Sequence, residues 1–291
     1  MQVKFIRWAL LTFLVALLFV SAGCKKKEEQ PPAKQARVSA TKAYEKFFGP
    51  APTTDKGTCY AFVIHFPSAK EPGKVVPFPF FTFDEASIKK VAVERLIGGI
   101  EVSAYRDEII QPFASGVHLL ELSESEGLVK VNLSKDFLRT GNYKEGMMNA
   151  LVMTLTQFEG VKGIRLLSEG KEVDFANGTL LPVAASVREP SPPRLLSVTA
   201  VKDKGARDVE EVSAYFDRPV DIKELKMADR EGKLFEGEVY HSMFDMAAVL
   251  KPKDPGLFRA QMPVNVHWKV VDKRGRQGEG DSALLLEVKE H

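Results

Sequence analysis

His241, Met243 and Met246, in the stretch YHSMFDM, are the side chains whose types and spacing could do chemistry. An imidazole with two thioethers is a soft donor set of the kind that holds Cu(I). Strand alternation puts residues 241 and 243 on one face, with 246 beyond a bend. The same alternation of Met and aromatic residues also reads as edge or core packing, and the set falls short of a full ligand shell. The other histidines, His65, His118, His267 and His291, fall in no Ser/His/Asp order and no His-Glu-x-x-His pattern. No glycine-rich phosphate loop is present. The carboxylate pairs Asp107-Glu108 and Glu210-Glu211 read as solvated turn or edge charges. Cys59 opens the strand-like GTCYAFVIHF and reads as a small buried hydrophobe, not a nucleophile. With no nucleophile beside a base, the chain is expected to be no enzyme and to need no cofactor.

A different kind of reaction belongs to Cys24. It comes after MQVKFIRWALLTFLVALLFVSAG, in which Lys4 and Arg7 precede an apolar run over residues 8–20. That run is short for a bilayer span and has the layout of a secretory signal. Ser21-Ala22-Gly23-Cys24 resembles the bacterial lipobox, with Ser21 where Leu is usual. The resemblance implies export, lipidation of Cys24 and a membrane lipid as the first partner. By the same resemblance, Lys25 after the Cys implies outer-membrane sorting facing the periplasm in a Gram-negative host. In other hosts the anchor would sit on the outer face of the cytoplasmic membrane. The next run, KKKEEQPPAKQ, is charged and contains Pro, and it cannot bury itself. Residues 25–56 are therefore expected to be a disordered tether.

Composition allows a folded remainder. The chain has 291 residues, 44% of them hydrophobic, enough to bury two modest cores. A net charge of +2 gives no basis for nucleic-acid binding. With Cys24 committed to lipid, Cys59 has no partner for a disulfide.

The elements that would position any site begin at residue 57. CYAFVIHF reads as a strand and KEPGKVVPFPFF as the return of a hairpin. Thr82 with Glu85 forms a capping-box pattern ahead of a helix whose Ile88, Val91, Ala92 and Leu96 share a face. GVHLLELSESEGLVKVNLS is two strands about a polar turn. Asn142 and Glu145 mark the start of a second helix. Its Met147, Leu151, Leu155 and Phe158 make a core stripe. Thr154 and Thr156 lie off that stripe. Gly160 ends the helix, and GIRLLSEGKEV is a strand with a turn at Glu169-Gly170. The order predicts an α+β fold with helices on a small sheet.

GLVKVNLSKDF together with the later NALVMTLTQFEGVKGIRLLSEGKEV closely resembles the GerMN domain. The likeness rests on Val131, Leu133 and Ser134, on Thr154, Leu155, Thr156 and Phe158, on Val161 and Ile164, and on Gly170 and Lys171. Family members are mostly exported, lipid-anchored envelope proteins, and the family implies no known reaction. The matched residues are expected to be structural.

REPSPPR, residues 188–194, is a Pro-rich junction. Beyond it come short alternating stretches, such as EEVSAYFDRPV and MPVNVHWKVVD, separated by turns. Their spacing predicts a β-sandwich. Phe216, Pro219 and Val220, with Trp268, Val270, Val271, Asp272 and Gly275, resemble the CopC-type or bacterial Ig-like sandwich. Copper-binding relatives carry Asp-Gly-His after the Trp strand. This chain has Asp272-Lys273-Arg274-Gly275-Arg276 instead.

The expected organisation is a leader (1–24), a tether (25–56), a GerMN-like α/β sandwich (57–187), a linker (188–193) and an all-β Ig-like sandwich (194–291). The expected role is non-catalytic binding of an envelope protein or peptidoglycan. Copper handling through His241, Met243 and Met246 is the alternative.

Overall fold

The computed structural model describes residues 36–54, 57–100, 105, 107–139, 144–173, 180–181 and 187–291. The leader, Cys24, residues 25–35 of the expected tether and the Asn142 cap lie outside the described residues.

The first correction concerns the tether. Residues from Arg37 onward fold as strand β1 (Arg37–Ala40) and helix α1 (Lys42–Phe48). The charge-rich, Pro-containing run stops at Gln35, and the segment beyond it carries an apolar face of Tyr44, Phe47 and Phe48 at helical spacing. All three are buried. Thr41 caps the helix, accepting from Tyr44 N at 3.1 Å.

Strand β1 pairs parallel with β2 (Thr58–Pro67), and β2 pairs antiparallel with β3 (Val75–Thr82). Helix α2 is Ile88–Gly98. It begins after a turn in which Thr82 Oγ1 accepts from Asp84 N and Asp84 Oδ1 accepts from Ser87 N. The turn, not a Thr82–Glu85 box, orders this end, because Thr82 is still in the strand. A second sheet runs β4 (Leu119–Ser125), β5 (Leu128–Leu133), β6 (Gly163–Ser168), β7 (Lys171–Glu172), in that order. β5 and β6 are parallel, so the chain crosses between them through α3 (Lys144–Leu155).

Phe62, Ile64 and Phe66 of β2 join Val129, Val131 and Leu133 of β5, Leu96 of α2 and the Met147-Leu151-Leu155 stripe of α3 in the largest core. The opposite face of β2 is covered too. Ala61 and Val63 pack on Tyr44, Phe47 and Phe48 of α1. Burial on both faces explains why β2 reads as an almost continuous apolar run.

The remaining chain is a sandwich. One sheet is β10 (Val220–Ala228), β13 (Pro263–Asp272), β14 (Gln277–Leu285). The other is β11 (Gly237–His241), β12 (Ala247–Pro252), β9 (Glu211–Phe216), β8 (Leu195–Lys202), β15 (Glu287–Glu290). Val264, Val266, Trp268 and Val270 alternate inward and meet Val212, Ala214 and Phe216. The fold is α+β. Residues 35–291 form one compact unit that holds these cores together.

Candidate functional site

The GerMN-like motif residues turn out to hold backbone. β2 pairs with β1 only as far as Ala61. Beyond that point the last turn of α3 and the turn that follows it supply the missing partners. Gln157 Oε1 accepts from Val63 N at 2.8 Å, and its Nε2 donates to Val63 O at 2.5 Å. Thr154, fully buried, accepts from His65 N at 3.0 Å. Thr156 instead bonds its own helix at Val152 O. Ser134 Oγ accepts from His118 N and donates to Gly116 O, tying a loop to the end of β5. Leu133, Leu155, Phe158 and Val161 are core. Gly170 takes a positive φ of 77° in the β6–β7 turn, and its N–H donates to Asn132 Oδ1.

A seam of buried charge joins the two parts of the molecule, and sequence reasoning missed it. Asp217, Arg218 and Asp272 are at most 5% exposed. Arg218 donates to both Asp217 oxygens, at 3.0 and 2.9 Å, and lies 3.6 Å from Asp272. Arg276 bridges outward, donating to Asp272 at 2.6 Å and to Phe47 O at 2.6 Å. Both guanidiniums lie over the Phe48 ring, at 5.6 and 6.0 Å. Gly49 makes the approach possible: a Cβ there would lie 2.7 Å from Lys273 O. At the other end Arg194 pairs with Glu108 at 2.5 Å and covers Tyr105. Burial, and then the Asp217 carboxylate, push the Tyr105 hydroxyl well above its ordinary 10. Glu108, read as a solvated turn charge, is therefore a seam residue. The available signal was FDRPV, two opposite charges set between Phe216 and Val220 at the end of a buried strand.

The copper candidates sit on the β11–β12 hairpin. His241 ends β11, half-exposed, with Nδ1 3.6 Å from Asp245. Met243 is exposed, and Met246 is half-buried past the turn. Between them Phe244 adopts a φ of 64° and stacks on Phe81 of β3, ring centroids 4.7 Å apart and parallel within 1°. Asp245 bonds Lys273 at 3.0 Å. The loop's geometry thus serves docking onto the first part of the molecule.

A groove of about 600 Å³ lies between the first turn of α2 and β4, lined by residues 85–90 and 119–124. Among the described residues β4 ends its sheet and is hydrogen-bonded to β5 alone. Leu120, 51% exposed, and Glu121 open toward solvent. Lys89 pairs with Glu124 across the groove. An unpaired edge offers backbone donors and acceptors to an extended segment.

The family model described as "Germane: Sporulation and spore germination" matches residues 63–174. No curated protein matches the chain. Among solved structures, the chain is similar to the first GerMN domain of the sporulation protein GerM from Bacillus subtilis. That match has 17% identity and a TM-score of 0.34, and covers 44% of this chain and 96% of that one. The tandem GerMN domains of the same protein match at 15% identity and TM-score 0.35, over 61% of this chain and 58% of theirs. CopC from Methylosinus trichosporium OB3b matches at 14% identity and TM-score 0.24, over 34% of this chain and 97% of that one.

Proposed function

We infer that this chain, which carries a GerMN-type domain over residues 63–174, is a non-catalytic accessory protein of the cell envelope. In this reading it is exported, held to the membrane by lipid on Cys24, and acts by binding an extended segment of a partner polypeptide. The observation that carries the binding role is the groove beside β4, where an edge strand has no partner on one side among the described residues. Its lining mixes Lys89 and Lys90 with Glu85, Glu121 and Glu124, which suits a peptide of both charges better than a polyanion. The seam charges are neutralised by one another and leave no base poised against a nucleophile.

The test is photo-crosslinking in cells from position 121, with position 251 on the opposite part of the molecule as control. Discrete polypeptide adducts from 121 alone are expected. Adducts from both positions alike, or none from 121 together with retention of the purified chain on peptidoglycan, would sink the reading. Cys24→Ser in the same cells should move the chain out of the membrane fraction. Continued membrane retention after a high-salt wash would mean a second anchor.

A further inference from the structure

We propose that Asp203, Glu210 and His291 form a binding site for a borderline divalent cation of the Zn²⁺ type. One ligand atom from each of the three lies within 4.8 Å of the other two, the only such His/Cys/Asp/Glu grouping among the described residues. His291 Nε2 is 3.4 Å from Asp203 Oδ1 and 3.8 Å from Glu210 Oε2. Two ligands about 2.1 Å from a tetrahedral ion stand roughly 3.4 Å apart. The first distance already fits, and the second needs only a small rotation of an exposed side chain.

The backbone under these side chains is set by the sheet. The three residues end neighbouring strands: Asp203 lies just after β8, Glu210 just before β9 and His291 just after β15, in the spatial order β9-β8-β15. His291 N donates to Lys202 O and Lys204 N to His291 O, each at 3.2 Å. Glu210 N donates to Val201 O at 2.8 Å, and Ala206 N closes the Asp203 turn at 2.9 Å. Ligands on rigid strand ends lose little freedom on binding. Lys202, next to Asp203 in the chain, is engaged by Glu290 and the Ala206 carbonyl.

The donor set selects the ion. One imidazole with two carboxylates suits Zn²⁺ and its first-row neighbours, while Mg²⁺ and Ca²⁺ prefer oxygen alone. The three side chains are exposed, so water would complete the shell and the affinity would be modest. The site is separate from the β4 groove and from His241, Met243 and Met246.

Titration of the purified full-length chain with Zn²⁺ tests this. One equivalent should bind at micromolar concentration, unaffected by excess Mg²⁺. His291→Ala should weaken binding by at least about tenfold, and Asp203→Asn or Glu210→Gln in the same direction. Absence of saturable binding overturns the proposal. So does binding that survives His291→Ala, or that is lost in His241→Ala instead.

Discussion

His65 shows what a single residue contributes when its chemistry is suppressed. Its ring is fully buried beside Phe47, and among the described residues neither ring nitrogen has a hydrogen-bond partner. Burial, then the Lys46 charge, lowers its pKa from the ordinary 6.5 to about 3. The folded chain therefore keeps His65 neutral while the unfolded chain takes up a proton below pH 6.5. Stability must fall as pH drops through that window, by up to about 1.4 kcal/mol per pH unit. In urea unfolding at pH 7 and at pH 4.5, His65→Leu should lose less stability on acidification than the parent. Equal losses would show that His65 stays solvated or protonated in the fold. The aromatic and β-branched residues of CYAFVIHF announced a strand, but not which elements would cover its two faces. That depended on Tyr44, Phe47 and Phe48, which lie in a region whose charged beginning masked them.

Among the elements, α3 carries two tasks that its sequence states with different clarity. The Met147-Leu151-Leu155 stripe was legible because helical spacing repeats it, and it packs in the core. The polar end was not legible, because a side chain that satisfies another strand's backbone leaves no periodic trace. Thr154 and Gln157 complete the edge of β2 where β1 stops. Gln157→Ala strands the N–H and carbonyl of Val63 and should cost about 2–3 kcal/mol, with Thr154→Val costing about 1–2 kcal/mol. Chemical denaturation measures both. If Gln157→Ala is neutral, water replaces the side chain and the helix end is not an edge cap. Turns were read more easily: Glu126-Gly127 and Glu169-Gly170 all take positive φ, which short hairpins demand.

For the whole molecule, the Pro-rich junction at 188–193 marks a change of core but not a loss of contact. Phe244 on Phe81, Arg218 and Arg276 over Phe48, and Arg194 on Glu108 bind the two parts into one unit. Arg218 is the keystone, since removing it leaves Asp217 buried beside Tyr105 without its bidentate partner. Arg218→Met should destabilise by about 3–5 kcal/mol. It should also separate unfolding seen by Trp268 fluorescence from unfolding seen by circular dichroism, which coincide in the parent. Coincident curves at an unchanged midpoint would reduce the seam to passive packing. Long-range pairings of this sort were hidden in the sequence because each partner alone looks like a surface charge.

The bond from Arg276 to the Phe47 carbonyl spans 229 positions of chain. During synthesis α1 is thus the earliest described helix to be made and among the last to be completed, because its arginine partner arrives near the other end. Until then Tyr44, Phe47 and Phe48 have only part of their cover, a sticky surface in a nascent chain. The buried members of the largest core, by contrast, all lie within residues 62–166, so that core does not wait for the last strands.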